Sequence, residues 1–232
     1  MSNMEEETNF IYLITEDSET NKFLAIMLGV MFVSITYHAA VFFHFKSDDI
    51  KLKNTIPDWD VLFNESIIES DETQIIADSQ QSSFFLEVDN EAVAEGNFVG
   101  FLVIDVLYDE TSGNIGDPCD FVSANLRPEG VLAQWENENN TLSGSSDSCE
   151  TISLFLQIYP NFDGVNKTES GNNEGEALET WTNSTFGFGE FNLEVEVNTQ
   201  ELVSGLPTQS DSNEEITVQW SLVTFVPMAT EL

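Results

Sequence analysis

Beyond His44 the sequence contains no histidine, and that absence removes more chemistry than any single motif adds. Ser-His-Asp and Cys-His nucleophilic catalysis, copper sites with imidazole ligands and His-containing zinc sites all need a side chain that the rest of the chain lacks. Cysteine is nearly absent as well. Only Cys119 and Cys149 occur, too few for a thiolate metal cage, and their expected use is on each other. Phosphate-cradling loops are missing: Gly187-Phe188-Gly189 has neither a following Gly-Lys-Ser/Thr nor a dinucleotide-binding continuation, so it reads as a turn. The chain is therefore expected not to be an enzyme.

Positive charge is also scarce. Six Lys and Arg stand against 42 Asp and Glu, a formal net charge of −36, and after Lys53 only Arg127 and Lys167 are basic. Such a surface repels nucleic acid, which is excluded as a partner. It suits a salty medium that screens self-repulsion, or the binding of cations or a basic partner. Acidity alone would suggest disorder, but 41% hydrophobic residues with 18 Phe and 4 Trp are enough to bury a core.

One long hydrophobic run is present. Residues 23–45 read FLAIMLGVMFVSITYHAAVFFHF, without a formal charge, between Lys22 and Lys46. At about 1.5 Å per residue this run crosses a hydrocarbon layer of roughly 30 Å, so a single transmembrane helix in a lipid bilayer is expected. A signal peptide would open on a basic segment, whereas residues 1–22 form an acidic tail. Lys46, Lys51 and Lys53 on the downstream flank mildly favour a cytoplasmic main domain. The lone cysteine pair favours the opposite side, because a disulfide needs an oxidising compartment. Four glycosylation sequons, at Asn64, Asn139, Asn166 and Asn183, agree with it. An extracytoplasmic main domain is the expectation.

Downstream, residues 46–82 mix acids with short apolar pairs such as Ile67-Ile68 and Ile75-Ile76 and read as an acidic stalk. From residue 83 to 232 the period is close to two, the signature of strands with one buried face. Residues 191–198 alternate Phe191, Leu193, Val195 and Val197 with polar side chains; 152–159 and 216–226 do likewise. Residues 98–108 are apolar on both faces, and shorter candidates are 84–89, 120–126, 131–135 and 181–186. About eight strands separated by Gly-, Pro- and Asn-rich turns predict a mainly β fold. It is an antiparallel β-sandwich, Ig-like or jelly-roll-like, behind the single N-terminal transmembrane helix.

Carboxylates are the remaining chemistry. Two of them at 5–10 Å would suffice for glycan hydrolysis, though a chance pair is expected among so many. Asp105 interrupts the apolar run 101–108, and the loop after it supplies Asp109, Glu110, Asn114, Asp117 and Asp120, hard oxygen donors of the kind calcium selects. Asn161, Asp163, Asn166 and Glu169 make a second donor-rich loop. Calcium is the candidate cofactor, without EF-hand spacing. Trp135, Trp181 and Trp220 suit a core better than sugar stacking. The leading expectation is a membrane-anchored binding or structural module of the cell envelope, engaging an envelope or membrane-protein partner. The alternatives are an accessory subunit of a larger membrane complex and a carboxylate-based glycan hydrolase.

Overall fold

The computed structural model describes residues 18–46, 55–109, 119–199 and 212–232. It divides into two compact units, Met1–Ile56 and Pro57–Leu232. Within the first, α1 runs Ser18–Val41 and continues as a π-helical turn, Phe42–Lys46. Glu19 and Lys22 pair at 3.0 Å on its exposed first turn, and no residue of α1 is buried. Phe23, Met27, Met31, Phe32 and Val33 project on different sides, each more than half exposed. A helix that is apolar all round has no soluble face; it is long and apolar enough to cross a membrane.

The second unit is mainly β: strands β1 (Asp58–Ala77), β2 (Gln80–Val88), β3 (Phe98–Tyr108), β4 (Phe121–Arg127), β5 (Ser143–Ser146), β6 (Ile152–Gln157), β7 (Lys167–Ser170), β8 (Gly189–Asn198) and β9 (Asn213–Glu231), with a short helix α2 (Glu174–Leu178) after β7. They form a five-stranded sheet, β6-β3-β9-β1-β7, and a four-stranded one, β2-β8-β4-β5, with every neighbour antiparallel. Between the sheets Leu102, Ile104 and Val106 of β3 and Ile216, Val218 and Trp220 of β9 meet Phe84, Val122, Ala124, Phe191, Leu193 and Val195. Each Val, Leu, Ile or Phe among them contributes roughly 1.5–3 kcal/mol of burial.

One flank of the sandwich is closed. Thr141 and Phe155 exchange two main-chain hydrogen bonds of 2.9 Å, and Leu126 N–H donates to Leu142 O at 2.8 Å, so a single segment ties β6 to β4. Cys119 and Cys149 are joined there by a disulfide with Cα atoms 5.5 Å apart. The other flank carries the edges of β1 and β2, which are connected by a tight turn with Ser79 in the left-handed region.

A second core lies on the outer face of the five-stranded sheet. Val61 and Phe63 of β1 and Val223 and Phe225 of β9 point away from the sandwich and are roofed by Tyr159, Phe162, Trp181 and Phe186. Gly100 makes this possible. The β3 to β9 register slips between Val99 and Phe101, a bulge that frees Gly100 O to accept from Ile158 N at 3.0 Å and Tyr159 N at 2.8 Å. A Cβ on Gly100 would lie 2.4 Å from the Phe162 ring, so the roof closes only over glycine.

Three sequence expectations are corrected. The stalk assigned to 46–82 is wrong from Asp58 onward. Strand β1 pairs with β9 from Trp59 opposite Glu231 to Ala77 opposite Asn213, and β2 already begins at Gln80. The alternation was hidden because β1 changes its buried face: Val61 and Phe63 face the roof, whereas Ile68 and Ile76 pack on the sandwich core. Residues 131–135 are not a strand; they form turns held by Trp135 Nε1 donating to Val131 O at 2.9 Å. Residues 181–186 are not one either, since a 3-10 turn, Glu179–Trp181, precedes an Asn183 to Thr185 turn.

Candidate functional site

Of the residues singled out for calcium, Asp105, Asp109 and Asp120 fall among the described residues. Asp105 sits on the outward side of β3, where its Oδ1 accepts from Ser153 Oγ at 2.6 Å across the β6 pairing. Asp109 lies four residues further along the same strand direction, about 13 Å away at the usual strand rise. Asp120 is buried just before β4, while Glu110, Asn114 and Asp117 lie outside the described residues. Among the described residues no group of three or more His, Cys, Asp or Glu is placed to hold a metal ion.

The second donor-rich loop is occupied by its own architecture. Asp163 Oδ2 accepts from Lys167 Nζ at 2.7 Å and Oδ1 from Val165 N at 3.0 Å. The Lys167 bond chiefly holds the Asp163 carboxyl below its ordinary range, against a smaller opposing effect of burial. Glu169 Oε1 accepts from Trp181 Nε1 at 3.1 Å. Both carboxylates thus fasten the roof over the aromatic core. Tyr159 fastens it again: its hydroxyl donates to Thr180 O and accepts from Asn183 N, each at 2.9 Å.

What the fold does assemble is an acidic, polar outer surface on the five-stranded sheet. Register places Ser153, Asp105, Gln219 and Asp71 side by side across four strands, and Val103, Ser221 and Glu69 in the next row. Glu69, Ser70, Asp71, Gln219 and Ser221 line a shallow depression of about 290 Å³. On the other sheet Arg127 Nε donates to Glu194 Oε2 at 2.5 Å. The two basic residues of the sandwich are therefore committed to Glu194 and Asp163.

All four sequon asparagines, Asn64, Asn139, Asn166 and Asn183, are exposed. Trp181 and Trp220 are 2% exposed and belong to the two cores; Trp135 packs against Phe191 at the rim.

No protein family and no curated protein matches the chain. Solved structures do match. The decameric BFDV capsid protein has 5% identity and a TM-score of 0.35, over 70% of this chain and 99% of that one. The Macrobrachium rosenbergii nodavirus semi-empty VLP has 6% identity and a TM-score of 0.35, over 74% and 87%. Desmodium yellow mottle tymovirus has 11% identity and a TM-score of 0.28, over 73% and 90%. The sandwich assigned to this chain rests on its own strand pairing.

Sequence reasoning missed the role of β1 and the aromatic roof. Signals for the roof were present in Gly100 within an otherwise bulky strand and in the aromatics clustered at 155–162 and 181–188.

Proposed function

We propose that this protein is a membrane-tethered β-sandwich that works as a binding or structural module on the extracytoplasmic side, without chemistry of its own. The observation that carries the proposal is α1, whose apolar side chains are exposed on every side and need lipid or another apolar helix around them. The Cys119–Cys149 disulfide and the exposed sequon asparagines support the outward side. Commitment of the loop carboxylates to Lys167, Val165 and Trp181 supports structure over catalysis in that loop. The acidic sheet surface suits a basic site on an envelope or membrane-protein partner.

The test is topology. In intact cells producing the full chain, protease added outside is expected to remove the sandwich. The residual anchor should stay with the membrane fraction after a high-salt wash. Protection of the sandwich in intact cells, with cleavage only after permeabilisation, would reverse the orientation. Release of the whole chain by salt would remove the tether.

A further inference from the structure

The outer edge of β1 is open over part of its length. Strand β7 covers it only from Asp58 to Val61, and Glu65 lies against Gly164 just beyond. At the other end Gln74 Nε2 donates to Ser83 O at 3.2 Å and closes the gap to β2. Among the described residues no strand pairs with the intervening residues 66–73 on that side. Their pairing to β9 runs without a register shift. The segment reads Ser-Ile-Ile-Glu-Ser-Asp-Glu-Thr, with no proline or glycine. Edges are ordinarily blunted by short length, bulges, proline or charged side chains; this one has no bulge and no proline, and its charges, Glu69, Asp71 and Glu72, are all negative.

We infer that residues 66–73 of β1 bind an extended basic segment of a partner protein by strand addition. Main-chain groups supply the pairing and the outward side chains supply the choice of partner. Ile67, Glu69 and Asp71 share one face because strand side chains alternate; Ile67 is 62% exposed, and register sets Gln219 and Ser221 beside the two acids without a cation. An antiparallel strand carrying basic, any, basic, any, apolar residues sets one cation opposite Asp71, one opposite Glu69 and an apolar side chain opposite Ile67. Opposite charges in directly facing positions stabilise the pair, and like charges destabilise it. A second copy of this chain fits poorly. Its own β1 would add three carboxylates, Glu69, Asp71 and Glu72, and no cation to the same ribbon.

This inference deepens the binding-module reading and rests on it. The probe is a labelled peptide, Thr-Lys-Thr-Lys-Thr-Ile-Thr, titrated by fluorescence anisotropy against the full chain in uncharged detergent micelles. Saturable binding is expected, with slowed amide exchange confined to residues 66–73. The same peptide N-methylated at alternate residues along its pairing edge keeps the charge but is expected not to bind. Glu69→Gln with Asp71→Asn should weaken binding about tenfold, and Glu87→Gln with Glu190→Gln on the other sheet should leave it unchanged. Equal binding of the methylated peptide, equal loss from the control pair or absence of saturable binding would each overturn strand addition. The methylated-peptide arm uses the unaltered protein, so it does not depend on any variant folding. A tethered sandwich would survive that result, because its topology is read separately.

Discussion

Phe162 lies flat on Phe225, their ring centroids 4.2 Å apart and their planes at 11°. Phe225 is on β9, facing away from the sandwich, and Phe162 comes from the loop after β6. The stack is where the roof grips the sheet, and Phe63 meets both rings edge-on at 5.2 and 5.4 Å.

Phe162→Ala is expected to destabilise the sandwich by about 3–5 kcal/mol through the cavity it leaves. Gly100→Ala should cost about 1–3 kcal/mol by overpacking, because its Cβ meets the same ring. Denaturant unfolding followed by tryptophan fluorescence checks both; a Gly100→Ala variant as stable as the parent would contradict the close roof.

Reduction of Cys119–Cys149, whose sequence separation is 30, is expected to lower stability by roughly 3–4 kcal/mol on chain-entropy grounds. Unfolding curves with and without reductant measure it. Cys119→Ala with Cys149→Ala should reproduce the reduced curve and be insensitive to reductant.

Acid should loosen the roof through Asp163. The carboxyl is held low mainly by Lys167, so its stabilisation is present above the ordinary carboxylate value of about 4 and is lost as pH falls through its lower folded value. The pair is surface-exposed, so the contribution is less than about 1 kcal/mol. Asp163→Asn should be slightly less stable at neutral pH and show a flatter stability profile below about pH 4.

Alkali acts on Tyr159 with the opposite sign. Burial pushes its phenol above 10.0, opposed by the Asn183 N–H. The raised value means its stabilisation is complete below about pH 10 and is lost as pH rises through the folded value. Tyr159→Phe leaves the Asn183 N–H without its partner. It should cost about 1–3 kcal/mol at neutral pH and remove part of the alkaline fall in an unfolding series.

Salt should stabilise the whole sandwich. From Pro57 onward 34 acidic residues stand against Arg127 and Lys167 and repel one another, and raising ionic strength from 0.1 to 1 M shortens the screening length from about 10 to about 3 Å. The melting temperature is expected to rise with sodium chloride. A fall would show that the Arg127–Glu194 and Asp163–Lys167 pairs outweigh the repulsion.

Patterns along the chain were enough for the parts whose environment is uniform from end to end. Residues 23–45 are uncharged and predominantly apolar along their length, so length and composition sufficed to recognise the helix. Strand β8 buries Phe191, Leu193, Val195 and Val197 on one face from end to end, so period two appeared directly, and two cysteines without others left one pairing. Where two environments meet in one element, long-range packing set the outcome. Strand β1 turns Val61 and Phe63 to the roof but Ile76 to the sandwich, which breaks the period and made it read as a stalk. The same long-range pairing with β9 leaves residues 66–73 as an open edge. Periodicity records which side of a residue is buried. It does not record what does the burying, and here that choice places both the second core and the acidic edge.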